Sequence, residues 1–498
     1  MPVQRFILAY MDHILARLAS DSFYHLSHAS LTGSRCQGLA CFAARQLDPA
    51  SWKQACQSSP TVFCLGQCYL GPARQGEDAL PHIASHARTS VLLGNVANAA
   101  VLDLAEYCKT GGGQALHQVL RMDSAAVIQQ ISASGLRGRG GAAFPTGLKW
   151  QLLAEQKADC KYLVANADEG DPGSFSDRLL MERDPYRLIE AMLIAGITVG
   201  AKQAYIYLRR EYEQTAVILQ AAITQARAAG WLGPHVLCSA HAFDISLVIG
   251  KGSYLCGEET AMLNAIEDKR PEARLRPPQI TELGLYSKPT LVNNVETLCA
   301  IPWIITHGAA AYAALGTPES PGTKLLSLNA VFRRPGLYEV EFGISLGDIV
   351  DKLGLGLKQG QLKGLMIGGP LAGVIPAQLL DTPLAYQSLQ QIGGAVGHGG
   401  VIAFDDSCSI AELVAQVFRF GAFESCGKCT PCHHGAAEIA RHFDDILQGG
   451  HWNADRWQAL VSALADASLC GHGRGLAEFA QSIQRHYHAE LQTCLTSV

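Results

Sequence analysis

The chain has 498 residues, 48% hydrophobic and 17% charged, a globular balance too long for one core and too apolar for disorder. Its net charge of −5 gives no electrostatic reason to expect nucleic acid or an anionic membrane as partner, and no run approaches the ~20 apolar residues that span a bilayer. The opening MPVQRFILAYMDHILARLASDS is interrupted by Arg5, Asp12, His13 and Arg17; it predicts an amphipathic helix rather than a secretory signal, and so a soluble, cytoplasmic protein.

Residues 1–90 read as a small cysteine-bearing unit with short helical stretches, and KTGGG (109–113) marks a break further on. QALHQVLRM and AAVIQQISASG then have helical spacing. CKYLVANA (160–167) is a short apolar run of buried-strand type, PYRLIEAMLIAGITVGA a helix, QAYIYLR a strand, and YEQTAVILQAAITQARAAG a helix closed by Gly230. Strand, long helix, strand at these lengths implies parallel βαβ construction. Short β segments between Gly/Pro turns follow (TKLLSLNAV, RRPGLYEVEFG, GLMIGGPLAG), and the chain from SCSIAELVAQVFRFG onward is helical again. The expectation is an α/β multidomain chain divided at 1–90, 91–320, 321–402 and 403–498.

Four loops of the α/β part carry chemistry. SGLRGRGGAAFPTGLKW (134–150) sets five glycines among two arginines and a lysine, so that backbone N–H groups can approach an anion; alone it could be a flexible turn. NADEGDPGSFSDR (166–178) follows the run KYLVA, placing Asp168, Glu169, Asp171 and Asp177 beyond a strand's carboxyl end, where α/β sheets bind ligands. The segment has no His and no EF-hand spacing, which disfavours a metal and favours carboxylates accepting from sugar or ribityl hydroxyls; a solvated acidic loop is the plain alternative. IGKGSYLCGEET (249–260) again puts glycines ahead of paired carboxylates, Glu258 and Glu259. KPTLVNNVET (288–297) supplies Asn293, Asn294 and Thr297, groups that donate and accept at once. Together the four loops favour a nucleotide-like cofactor.

The sixteen cysteines are about 3% of the chain, well short of a disulfide scaffold, and the eight outside the close sets read mostly as isolated small hydrophobes. CGKCTPC spaces Cys426, Cys429 and Cys432 so that one short loop reaches three corners of a cubane, and Cys470 in SLCGHG can complete it. Zinc is the rival, but zinc ribbons pair two C-x-x-C knuckles rather than placing a third thiol in one loop. His433 and His434 beside it read as surface histidines. CQGLAC and CLGQC add Cys36, Cys41, Cys64 and Cys68, a second quartet.

With these motifs in this order, residues 110–498 closely resemble the NADH- and FMN-binding subunit shared by respiratory complex I, NAD-reducing hydrogenases and NAD-dependent formate dehydrogenases. The resemblance implies a Rossmann-like FMN/NADH domain, a β-grasp module over 321–402 and a helical 4Fe–4S bundle. It implies FMN held by Gly138, Arg139, Gly140, Gly141, Lys149, Asn166, Asp168, Gly257, Glu258, Asn293, Asn294 and Thr297. NAD(H) would stack on Phe144, with Tyr254 in the cofactor pocket. Glu169, Asp171 and Glu259 would lie near the hydroxyls and nicotinamide, Glu169 serving hydride exchange. Two departures are visible: Ala143 replaces a glycine, and Leu152 stands where a second aromatic is expected, so adenine stacking becomes one-sided. The N-terminal quartet resembles a thioredoxin-like domain carrying a 2Fe–2S cluster, with a shortened gap between its cysteine pairs; a degenerate domain kept for docking is the alternative. The implied path takes hydride between NAD(H) and flavin and single electrons to the cubane. The stretches SLCGHGRGLAEFAQSIQRHY and GGPLAGVIPAQLLDTPLAYQSL look most similar to the formate dehydrogenase form. That form implies a molybdenum- or tungsten-bearing catalytic subunit and a small 2Fe–2S subunit as partners. NAD-reducing hydrogenase is the second reading and complex I the third; a docking or zinc protein without catalysis is the contrary one.

Overall fold

The structure, a computed structural model, describes residues 23–27, 29–77 and 79–496, so the amphipathic opening expected at the N-terminus lies outside it. Residues 23–77 carry two short helices, α1 (Leu39–Ala43) and α2 (Pro49–Ala55), and Cys36 forms a parallel bridge with Val62. The start of α2 is fixed locally: Asp48 accepts from the Ser51 N–H, and Pro49 occupies a first-turn position that has no use for a donor. A short strand, β1 (His82–Ser85), follows.

The central unit is a parallel sheet of β2 (Tyr162–Ala167), β3 (Gln203–Leu208), β4 (Asp244–Ile249) and β5 (Thr290–Asn294), ordered β4-β3-β2-β5. Around it lie α3 (Thr146–Ala154), α4 (Ser176–Arg183), α5 (Pro185–Val199), α6 (Glu213–Ala228), α7 (Glu259–Ile266) and α8 (Val295–Cys299). Helix α5 is apolar on almost every face and is buried accordingly, ending at Gly200 in the left-handed conformation that closes helices. Its one buried carboxylate, Glu190, accepts from the Tyr107 hydroxyl and from the N–H groups of Gly113 and Leu116, which satisfies the start of the neighbouring helix. The chain runs outward from β2 through β3 to β4, then returns to the other side of β2. The topological switch point therefore lies between β2 and β5, whose carboxyl ends bring Asn166 and Asn294 into register.

The next unit is a sheet of β6 (Thr323–Leu328), β7 (Gly336–Glu341), β8 (Leu362–Ile367), β9 (Ile375–Pro376) and β10 (Gly400–Asp405). β6 and β7 form a hairpin, a helical crossover follows at 346–353, and β10 returns parallel to β6 between the hairpin and β8, the arrangement of a β-grasp. β1 joins this sheet too, pairing parallel with β7, so its edge comes from outside residues 321–402. The last unit is helical: α9 (Ile410–Phe423), α10 (Ala436–Ile446), α11 (Ala454–Ala467) and α12 (Gly471–His486). A capping box of Ser409 and Glu412 starts α9, and Glu412 also pairs with Arg45 at 3.0 Å, tying this end to the N-terminal unit.

One continuous apolar core runs from α1 through α5 to α9 and α12. A second joins Val164 and Tyr207 of the central sheet to Leu255, Met262 and Cys426, so the sheet and the C-terminal cysteine loop share packing. Among the described residues, no helix is long and apolar enough to cross a membrane.

Candidate functional site

The four chemistry-bearing loops meet at the carboxyl ends of β2 and β5. Asn166 accepts from the Asp168 N–H at 3.1 Å, and its Nδ2 donates to the Gly257 carbonyl at 2.9 Å, binding the loop after β2 to the loop after β4. Asn293 accepts from the Trp150 indole at 3.0 Å. Asn294 caps α8, accepting from Thr297 N at 3.1 Å, and the Thr297 hydroxyl accepts from Arg139 N at 2.8 Å. The Gly-rich turn thus hangs from the first turn of α8. A Cβ on Gly140 would lie 2.9 Å from the Asn294 Cβ, whereas one on Gly141 would meet nothing within 4 Å but would need φ near 121°. Packing requires the first glycine and backbone conformation the second, and open space faces the turn.

Charge gathers at the mouth. Lys149 Nζ donates to Glu259 at 2.7 Å and to the Val292 carbonyl at 2.8 Å. Arg276 spans Glu258 at 2.7 Å and Glu259 at 2.9 Å. Burial opposes ionisation of Glu259, yet Lys149 and Arg276 hold its pKa below the usual range. Glu258 also caps α7, accepting from the N–H groups of Thr260 and Ala261. Phe144, Leu148 and Leu152 are 44%, 43% and 38% exposed and spaced four residues apart along the approach to and body of α3. Phe144 is free to stack on a ring; Leu152 offers only an aliphatic surface.

Asp168 is buried, and its Oδ2 has no hydrogen-bond partner. Burial pushes its pKa well above the usual carboxylate range, with Arg209 offsetting only part. A Cβ on Gly257 would lie 3.8 Å from this oxygen. An orphaned acceptor beside Gly257 fits a hydroxylated ligand.

Three residues of the sequence-derived set sit differently. The Arg139 guanidinium points away from the glycine turn, donating to the hydroxyls of Tyr386 and Tyr312 and to the Pro321 carbonyl; only its backbone faces the turn. Glu169 is 1% exposed, and its carboxylate accepts from Ser174 Oγ, Ser176 Oγ, Asp177 N, Arg178 N and the Tyr212 hydroxyl. Those five donors saturate the carboxylate, so it is a hub of the loop rather than a group facing a nicotinamide. Asp171 accepts from the Tyr254 hydroxyl at 2.6 Å, and Tyr254 packs against Phe420 and His472 of the helical unit. Sequence reading missed Arg276, Arg209 and His398. Nothing in RLRPP sets Arg276 apart, and His398 is a lone histidine between two glycines. His398 Nε2 lies 2.8 Å from Asp177 and 3.9 Å from Glu169. These three could in outline ligate a cation, but Glu169 spends its oxygens on donors of its own loop and Asp177 spends its oxygens on Asn294 and Glu296.

The C-terminal thiols converge. Burial pushes Cys432 up to about 12, with Cys429, Cys470 and Cys426 all adding repulsion against its ionisation. Cys470 occupies the N-cap of α12, where the N–H groups of His472 and Gly473 favour a thiolate although burial raises it to about 11. Crowding that disfavours four free thiolates is the environment that bound iron relieves. Cys426 and Cys432 are buried, Cys429 and Cys470 half-buried.

The N-terminal thiols are more enclosed: Cys36, Cys41, Cys64 and Cys68 are all 2% exposed or less. Cys64 and Cys68 lie 3.7 Å apart, and Cys36 is pushed well up by hydrogen bonds to Cys41 and Cys64. Each sulfur accepts one backbone N–H, from Gly38, Ala73, Gly66 and Gly173 respectively, at 3.2–3.4 Å. That donor pattern fits a sulfur cluster. Gly173 belongs to the acidic loop, and Arg209 Nη2 donates to the Cys64 carbonyl at 2.8 Å while Nη1 donates to that of Glu169, so the quartet abuts the strand-end pocket.

The family of Nuo51 FMN-binding domains matches residues 131–303, and that of the NADH-ubiquinone oxidoreductase-F iron-sulfur binding region matches 412–494. The chain is 38% identical over 392 residues to an NADH-quinone oxidoreductase F-type chain (the second form) of Rhizobium meliloti (strain 1021), covering 78% of this chain and 93% of that one. It is 41% identical over 372 residues to the HndC subunit of the NADP-reducing hydrogenase of Solidesulfovibrio fructosivorans, covering 74% and 76%. The fold matches a crystal structure of an H2-reduced NAD+-reducing [NiFe]-hydrogenase with a TM-score of 0.81 and 29% identity, over 97% of this chain and 88% of that one. The strand-end pocket and the C-terminal thiol cluster fall within the two matched regions, and the chain belongs to the family of NADH-binding, FMN- and 4Fe–4S-bearing subunits found in NADH-quinone oxidoreductase.

Proposed function

We propose that this chain is the NAD(H)-oxidising and -reducing subunit of a cytoplasmic NAD-dependent formate dehydrogenase complex. The observation that carries the electron-transfer part is the meeting of Asn166, the Asp168 backbone, Gly257 and Asn294 at the carboxyl ends of β2 and β5, on a sheet whose core is shared with the C-terminal cysteine loop. FMN, when bound, converts the two-electron hydride exchange of a nicotinamide into single-electron exchange with a cluster.

The chain's residues supply orientation and electrostatics. Gly140 and Gly141 present backbone N–H groups and Lys149 a charge to the phosphate end, while Gly138 closes the turn by donating its N–H to the Phe144 carbonyl. Asn166, Asp168 and Gly257 take the hydroxylated chain, and Asn293 and Asn294 the polar edge of the ring. Phe144 stacks the dinucleotide, while Glu258, Glu259 and Arg276 line its path. Asp171 and Tyr254 close the wall toward the helical unit. Cys426, Cys429, Cys432 and Cys470 hold the 4Fe–4S cluster, and Cys36, Cys41, Cys64 and Cys68 hold a 2Fe–2S cluster. Glu169 holds the acidic loop in place. A catalytic subunit bearing molybdenum or tungsten and a small 2Fe–2S subunit are the expected partners.

The formate assignment is supported by the likeness of the segments at 368–389 and 468–487 to that enzyme class. A second reading, the diaphorase of an NAD-reducing hydrogenase, is favoured by the structural match, which extends over the N-terminal unit. The native complex decides: formate-dependent NAD+ reduction supports the first reading, and hydrogen-dependent reduction without any formate activity replaces it with the second.

A further inference from the structure

A buried polar seam joins the central sheet to the β-grasp sheet, and its centre is a side chain supplied from outside the flavin domain. His398 sits in the turn before β10 between Gly397 (φ 50°) and Gly399 (φ 84°). A Cβ on Gly397 would fall 2.3 Å from Gly368, and one on Gly399 would fall 2.2 Å from the Leu325 carbonyl. Only glycines fit on either side, and the resulting turn lays the imidazole across the seam.

There Nε2 lies 2.8 Å from Asp177 Oδ2, an oxygen that also accepts from Asn294 Nδ2 at 2.6 Å. Asp177 Oδ1 accepts from Glu296 N at 3.0 Å. Asn294 in turn accepts from Thr297, and Thr297 from the backbone of Arg139. A chain of four hydrogen bonds thus runs from His398 through Asp177, Asn294 and Thr297 to the Gly-rich turn. We infer that His398 is a positioning residue for the flavin pocket, holding Asn294 and the Gly138–Gly141 turn in place through Asp177. The inference rests on the assignment of those groups to FMN.

The groups facing the imidazole are Asp177, Glu169 and Asp171 from the acidic loop and α4. Lys324 of β6 donates to the His398 carbonyl at 3.1 Å and pairs with Glu296. Burial opposes its charge, but the three carboxylates outweigh burial and raise its pKa to about 9. The charge assistance to this link is therefore complete below the ordinary histidine value and is lost as pH rises through about 9, where the neutral imidazole keeps one N–H for Asp177.

The test measures FMN affinity of the full-length chain from pH 7 to 10, with the EPR signal of the 4Fe–4S cluster as the check on folding. Asn294→Ala serves as the control for the flavin assignment and weakens FMN at least about tenfold. His398→Leu weakens FMN about tenfold at pH 7. His398→Gln, whose amide still donates to Asp177, stays within about threefold of the parent. It also shows no alkaline change, whereas the parent weakens by up to about threefold around pH 9 as the ion pair reverts to a neutral hydrogen bond. If Asn294→Ala loses FMN but His398→Leu binds it as the parent does, the inference fails and the flavin assignment stands. If Asn294→Ala binds FMN normally, the assignment itself fails and the inference with it. Should the Leu variant lack the EPR signal, the parent and Gln pH profiles decide: parallel profiles overturn the inference.

Discussion

The two cysteine quartets invert the order in which their sequences rank them. CGKCTPC with Cys470 is the stronger motif, yet two of its thiols are half-buried and lie at the edge of the helical unit. The N-terminal quartet, with its shortened gap, is wholly enclosed and has one amide donor per sulfur, one of them reaching in from the acidic loop. Motif strength reports how many ligands one short loop can supply; enclosure reports what a site communicates with. The C-terminal site is partly open to the surface while Cys426 packs on the central sheet, and the N-terminal site is enclosed and tied to the acidic loop through Gly173.

The largest expected effects test that contrast. Cys429→Ala should abolish the EPR signal of the reduced 4Fe–4S cluster while leaving NADH–ferricyanide activity partly intact; an unchanged spectrum removes Cys429 from the site. Cys68→Ala should lower bound iron from about six to about four per chain and spare that signal, whereas a parent holding only about four irons denies the N-terminal cluster. Next in size is the seam. Asp177→Ala leaves His398 and two donors unpaired in a buried site and should cost about 3–5 kcal/mol, read as a drop in thermal midpoint. Glu169→Gln keeps the shape but weakens five hydrogen bonds, and should cost about 1–3 kcal/mol with FMN still bound. Selective loss of hydride exchange without any loss of stability would instead return Glu169 to the pocket wall. The smallest effect is expected at the mouth, where Leu152→Phe supplies a second ring and should lower KM for NADH about two- to fivefold.

The central sheet was legible because KYLVANA, QAYIYL and the helices between them carry unmistakable periods, and the four loops stand where such sheets bind ligands. β1 was not legible: HIAS is four residues long, and its partner strand lies some two hundred and fifty residues on. Asn166, Asp168, Lys149 and Asn294 were expected together from their motifs, and the structure brings Asn166 and Asn294 into register at the strand ends. Glu169 could not be separated from its acidic neighbours, because its donors come from 174–178 and from Tyr212 on a different loop. His398 was hidden for the same reason: the carboxylates its ring meets are more than two hundred residues away, and the only local sign is a histidine wedged between glycines.

The most direct measurement is an anaerobic NADH titration of the purified full-length chain, followed by flavin absorbance and EPR together. The account predicts that NADH bleaches a bound flavin and brings up the signal of a reduced 4Fe–4S cluster, and that Asn294→Ala, once stripped of FMN, keeps its iron but gives no signal with NADH. A parent chain that holds iron yet shows no flavin, or whose cluster NADH fails to reduce, would contradict it.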